Sequence, residues 1–339
     1  MNQAIGERTL WEQGVEQVPV DIASLGSILA VGTSDGDALM LDALTGAVRK
    51  RATCDGGLLT LAPSPDRTQL VLAGPFGGWI WHVEQDAPVA LNTGDWCAGA
   101  RWVSDDRWAL AQGKRVSVYS GAGVRRWVSD PLPSTVADLA WLGGRHRLAA
   151  AVYGGVHVIE PRRNGSSTHL PFQGSLLALA ASPHGKWLVS GNQDASLQVF
   201  RTDKDTRLEM QGYPAKITRV AFDRSGRWLA NNGAPEVSVW DFGGQGPRGR
   251  SPVLCVSPES SDQPATFAWH ADQARLAIGW RSGTVTSVNV VAGVPGQPSI
   301  GDVLTVGLGE ITALTWSGDR LIVGCQDGTV LLLGKVAGQ

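Results

Sequence analysis

The sequence predicts an all-β fold of eight repeated units, each a four-stranded antiparallel sheet, and three observations predict it. A pattern of short apolar strand, turn, second strand ending near glycine, turn, and alternating third strand recurs, most clearly in residues 177–201 and 218–242. The apolar residue at the centre of each first strand, taken as Ile22, Leu61, Ala100, Leu139, Leu179, Val220, Phe267 and Leu314, repeats at spacings of 39, 39, 39, 40, 41, 47 and 47. A period of about 42 residues is the blade length of a β-propeller. Finally, 43 glycines and 18 prolines in 339 residues supply the many turns such an array needs.

Each element follows from local chemistry. Between first and second strands stand Ser64-Pro65-Asp66, Ser182-Pro183-His184-Gly185, Asp223-Arg224-Ser225-Gly226 and Ser317-Gly318-Asp319. Their short polar side chains bond to nearby backbone and favour tight hairpins. Third strands are expected at 38–41, 79–82, 116–119, 156–159, 197–200, 237–240, 285–288 and 330–333, several alternating with period two as half-buried strands do. Fourth strands follow in most units, for example 47–53 and 124–129. Residues 7–13 read like one of these fourth strands, with Trp11 in the place of Trp127. They are expected to complete the eighth blade and so close the array, leaving no open sheet edge. The expected organisation is one propeller domain over residues 1–339, with seven blades plus a hairpin as the fallback, since units six and seven are longer.

The chain resembles the WD-repeat β-propellers. The resemblance covers essentially the whole length and rests on the AxSPxGxxLxSGxxDxxLxVF pattern of residues 180–200, on Trp240-Asp241, and on Ser34-Asp35-Gly36 and Gln326-Asp327-Gly328. It implies a protein-interaction scaffold. The chain departs from the family in lacking a Gly-His dipeptide before any first strand, and only Asp35, Asp194 and Asp327 keep the turn aspartate. Aromatic packing is therefore expected to replace the family's Asp-His-Ser/Thr-Trp network.

The 14 tryptophans outnumber the 6 phenylalanines and 3 tyrosines together. Most recur at equivalent slots: Trp102, Trp141, Trp269 and Trp316 end first strands, Trp108, Trp187 and Trp228 begin second strands, and Trp81 and Trp240 lie in third strands. A large ring at one repeated position is filler between neighbouring sheets. Phe76, Tyr153 and Trp280 fall instead between second and third strands, and Trp96 just ahead of a first strand. Both kinds of segment emerge on one face of a propeller, so Phe76, Trp96 and Tyr153 are expected to form a partner-docking patch on three consecutive blades. Trp280 and the adjoining Arg281 are expected to form a second, smaller contact.

Chemistry is otherwise sparse. His82, His157 and His184 occupy strand or hairpin positions, and no HExxH or Walker loop occurs. No catalytic residue, cofactor or metal is expected. Residues 42–46 (DALTG) resemble a phrase repeated in quinoprotein-like propellers but occur once. With 29 basic and 31 acidic residues the net charge is −2, which offers no global field for nucleic acid. The absence of a signal-like start or a long apolar run points to a cytoplasmic protein without membrane contact. Cys54, Cys97, Cys255 and Cys325 form no CxxC and are read as buried thiols. The function expected is non-enzymatic binding of one or more proteins or peptides. The rival is a small-molecule-binding or hydrolytic propeller with its site at the channel mouth.

Overall fold

A computed structural model describes residues 9–91, 94–143, 147–161, 165–204 and 206–334. The fold is an eight-bladed β-propeller, one antiparallel sheet for each unit of the sequence period. Every first-strand marker and every third-strand segment named above lies in the strand assigned to it.

Contacts group the chain into two compact units, residues 52–221 and residues 1–51 with 222–339. The first holds blades two to five. Blade two is Thr60–Pro63, Gln69–Gly74, Gly77–His82 and Val89–Ala90; blade three is Cys97–Ser104, Arg107–Gln112, Arg115–Ser120 and Arg125–Val128. Blade four is Asp138–Trp141, Leu148–Val152, Gly155–Glu160 and Ser166–Pro171; blade five is Leu176–Ala181, Trp187–Asn192, Leu197–Arg201 and Thr206–Met210.

The second unit holds blade one (Pro19–Leu25, Ile28–Thr33, Asp37–Asp42, Val48–Thr53) and blade six (Val220–Phe222, Trp228–Asn231, Val237–Asp241, Val253–Cys255). Blade seven is Pro264–Trp269, Arg275–Trp280, Thr284–Asn289 and Asp302–Thr305. Blade eight is Ile311–Ser317, Arg320–Cys325 and Thr329–Leu333, completed by Thr9–Gly14 from the start of the chain, with Trp11 opposite Leu332. Residues 7 and 8 of the expected closing strand lie outside the described residues. Blade six departs from four strands: Pro298–Ser299, from the long stretch within blade seven, adds a fifth strand parallel to Val253–Cys255.

Within each unit hydrophobic cores form between adjacent blades. Ala109, Val116 and Val118 of blade three pack with Leu139, Leu148 and Ile159 of blade four, and Ala149 and Val156 of blade four with Leu179, Leu188 and Phe200 of blade five. Tryptophan joins neighbours by a repeated bond. The Trp102 indole N–H donates to the Ala62 carbonyl of blade two at 2.9 Å, and Trp316 makes the same bond to Ala268 of blade seven at 3.0 Å. The fourth-strand rings follow one rule as well: a Cβ at Gly46 would lie 2.6 Å from the Trp11 ring, and one at Gly165 2.9 Å from Trp127. Glycine in each turn thus admits the ring of the preceding blade.

The hairpin chemistry is as local as expected. Ser64 Oγ accepts the Gln69 N–H at 2.9 Å, Ser182 Oγ accepts Trp187 at 3.0 Å, and Asp223 Oδ1 accepts Trp228 at 2.8 Å. Residues 42–46 form another such turn. Asp42 accepts the N–H groups of Leu44 and Thr45 and pairs with Arg49, which holds its carboxyl down to about 2.

Candidate functional site

The candidate patch is built on the strand ends where second strands finish and first strands begin. In blade two, Phe76 occupies the turn between Gln69–Gly74 and Gly77–His82 and is 65% exposed. Its ring lies on the backbone of Gly56, where a Cβ would meet Phe76 Cδ2 at 1.7 Å; Gly56 has φ +76. A glycine is required there both for the left-handed backbone and for the space the ring takes. A second close approach, of Gly74 to the Gly57 carbonyl, locks the same two loops together, with a built Cβ at 2.2 Å. The ring is thus held from below and open above.

Trp96 precedes the first strand of blade three and is 47% exposed. Its carbonyl accepts the Gly113 N–H at 2.8 Å, and the Gly113 carbonyl in turn accepts Val136 at 2.9 Å. Beside it Asp95 accepts Gln112 Nε2 at 3.2 Å. Tyr153, 66% exposed in blade four, donates its backbone N–H to Ser134 Oγ at 2.8 Å. Trp96 and Tyr153 are therefore anchored, through backbone, to one segment that runs Ser134-Thr135-Val136. In both residues the main chain is fixed while the ring projects.

Leu59, 38% exposed on the same strand ends of blade two, joins this set and escaped the sequence reading. The signal was present: Leu58-Leu59 follows Gly56-Gly57 just ahead of a first strand, and only one leucine of such a pair can face inward. Leu58 is the buried one.

In the other unit the expectation for Trp280 is corrected. Trp280 ends the second strand of blade seven, is fully buried, and donates its indole N–H to Thr286 Oγ1 at 2.9 Å. The cause is register. Trp280 stands opposite Pro264 as Thr33 stands opposite Pro19, Gln112 opposite Cys97 and Asn192 opposite Leu176, and all of these second-strand ends are buried. It offers a partner no surface. Arg281, the next residue, does lie in the turn and is exposed; its Nε stands 3.9 Å from Glu310 Oε1 and its N–H bonds the Gln263 carbonyl. The turn is held by Asp262, which accepts both the N–H and the hydroxyl of Ser282.

Blade five shows what stands in place of the family's network. Ser190 Oγ donates to Asn192 at 2.9 Å, Asn192 Nδ2 to Ser196 at 3.0 Å, and Ser196 Oγ to Asp194 at 2.7 Å. Asp194 thus orders its turn through serine and asparagine, and Trp187 is gripped instead by Lys186 and Arg201 at 5.2 and 5.5 Å from its ring. Among the described residues no group of three or more His, Cys, Asp or Glu side chains is placed to hold a metal ion. The four cysteines are buried and form no disulfide, and desolvation pushes the Cys255 and Cys325 thiols up to about 12, which keeps them protonated. No helix among the described residues is long and apolar enough to cross a membrane.

Comparison with known proteins agrees with this architecture. Residues 166–201 match the family model described as "WD domain, G-beta repeat". That stretch is the fourth strand of blade four with the first three of blade five, so the sequence repeat straddles two sheets, as the N-terminal strand does in blade eight. The computationally designed Ika8 protein is similar with a TM-score of 0.79 and 18% identity, over 96% of this chain and 99% of that one. A chain of the mitotic checkpoint complex is similar with a TM-score of 0.62 and 16% identity, over 82% and 89%. SEC12-like protein 2 of Arabidopsis thaliana is 29% identical over 102 residues, which is 30% of this chain and 25% of that relative's length.

Proposed function

We propose that this propeller, similar over residues 166–201 to the WD repeat, is a non-enzymatic scaffold that binds a protein or peptide partner on the loop-bearing strand ends of blades two to four. The observation that carries this reading is the exposure of Phe76, Trp96 and Tyr153 on three consecutive blades, each on a main chain fixed by neighbouring loops. Large rings on a rigid support lose little freedom when a partner covers them. Each is worth about 1.5–3 kcal/mol of burial before ordering costs. Leu59 widens the apolar area and Arg281 supplies a separate cationic contact. We place the protein in the cytoplasm, a reading supported by four buried cysteines that form no disulfide.

The test is recovery of the partner by affinity capture, followed by titration of the purified partner against Trp96→Ala and Tyr153→Ala. Each variant is expected to bind several-fold more weakly while melting as the parent does. Unchanged affinity in both variants places the partner elsewhere.

A further inference from the structure

The fifth strand of blade six shows that a blade of this protein accepts an added strand on its outer edge. Backbone bonds at and beyond the ends of this short ladder attach it. Gly296 N–H reaches the Pro252 carbonyl at 2.7 Å, Leu254 N–H the Gln297 carbonyl at 3.4 Å, and Val256 N–H the Ser299 carbonyl at 3.1 Å. Gly293 lets the chain close down on Val253, where a Cβ would meet Cγ1 at 2.5 Å.

Blade four presents a comparable edge with no such cover among the described residues. Its outer strand, Ser166–Pro171, ends the sheet and is exposed along most of its length. The Phe172 N–H bonds the Gly154 carbonyl at 3.0 Å, and antiparallel pairing alternates from there. Leu170 and Thr168 therefore turn their backbone groups to the sheet, while Ser167 and His169 turn theirs outward. The Pro171 carbonyl, outward in the same alternation, accepts Arg207 of blade five at 3.4 Å.

Beside this edge lies a cavity of about 160 Å³. Val158 and Leu170 of blade four and Phe200 of blade five give it apolar walls, and Arg201, Lys204 and Arg207 line it with cations. Arg147 adds a fourth positive charge and Glu160 the one carboxylate of the lining. In a chain of net charge −2 this is a local concentration of positive charge. Arg201 is already paired with Asp203 at 2.8 Å, and Arg207 lies 6.0 Å from the Phe200 ring centre.

We propose that the outer strand of blade four is a docking edge for an extended acidic segment of a partner protein, which adds as a fifth strand to Ser166–Pro171. Main-chain bonds to Ser167 and His169 hold it, and alternate side chains, on the face shared with Thr168 and Leu170, carry carboxylates toward Lys204 and Arg207. This surface is independent of the aromatic patch on the loop-bearing strand ends.

The probe is a ten-residue peptide of alternating threonine and glutamate, titrated against the whole chain by fluorescence anisotropy. Saturable binding is expected, weakened at least about tenfold by Lys204→Glu with Arg207→Glu, by Ser167→Pro but not Ser167→Ala, and by raised salt. Proline at 167 removes an outward N–H and leaves the inner ladder intact. N-methylation of alternate peptide residues tests strand pairing without altering the protein, and must also abolish binding. Trp96→Ala and Tyr153→Ala should bind the probe as the parent does. Equal binding of a threonine–lysine peptide, undiminished binding of the N-methylated peptide, or no saturable binding overturns the proposal. So does equally strong binding of inositol hexakisphosphate that Ser167→Pro leaves untouched while the peptide also ignores that variant, which would mark a bare anion site.

Discussion

Asp138 of blade four accepts the backbone N–H of Leu179 in blade five at 2.9 Å. Its other oxygen receives Arg101 Nη2 of blade three at 3.0 Å and the N–H of Leu139 at 2.7 Å. One carboxylate thus ties three consecutive first strands. Asp138→Ala is expected to cost about 1–3 kcal/mol, because it leaves the Leu179 donor unsatisfied, whereas Arg101→Ala removes a more exposed partner and costs less. Urea denaturation of the two variants and of the pair checks the order.

Gly56→Ala sets a methyl against the Phe76 ring and a left-handed φ against an L side chain. A loss of about 1 kcal/mol or more is expected. Phe76→Ala in the same chain removes the steric part and leaves the backbone part, so a double-mutant cycle should show positive coupling of the two substitutions in stability. Additive losses would mean that the ring does not rest on Gly56.

Trp11 closes blade eight from the other end of the sequence, buried to 8% exposure with its indole N–H 3.3 Å from the Ala43 carbonyl of blade one. Trp11→Ala is expected to destabilise by about 3–5 kcal/mol, as for a buried core tryptophan. Val128→Ala, in the fourth strand of blade three and partly exposed, should cost far less. Thermal melting compares them directly.

His157 stacks on His169 with ring centres 4.7 Å apart and meets Ser167 Oγ at 3.2 Å. Burial first, and the neighbouring His169 second, lower its pKa below the ordinary 6.5. The unfolded chain therefore binds this proton more readily than the folded one, so stability holds above about pH 6.5 and falls as the pH drops through that value toward the folded pKa. His157→Leu should lose less melting temperature than the parent between about pH 7.5 and 5.5. Parallel curves for the two proteins would assign the acid sensitivity to other groups.

Period-two alternation and hairpin residues made the strands legible because each is a short-range property, and a spacing of 39 to 47 residues made their repetition legible. Ile22, Leu61 and their six counterparts mark first strands, and Ser64, Ser182 and Asp223 make the turn bonds their residue types favour. Even the pairing of Trp11 with the last blade could be read, since residues 9–13 repeat the character of a fourth strand. Trp102 and Trp316 were legible as filler because they recur at one offset from the marker.

Exposure was another matter. Trp280 and Tyr153 look alike in sequence, each an aromatic near the end of a second strand, yet one is sealed against Thr286 and the other open to solvent. A shift of one residue in a strand moves a side chain to the other face, and the register is fixed by a partner strand that the local sequence does not name. The same holds for Asp138, whose role lies in blades three and five, and for Pro298–Ser299, which leaves its own blade to extend blade six. The sequence by itself determined the repeat, the strands and the closing pair, because turn chemistry and alternation act over a few residues. Which rings stay exposed, which carboxylate joins neighbouring sheets and where cations gather were decided only when strands and blades packed, since each depends on groups in other strands or blades rather than on its immediate neighbours in the chain.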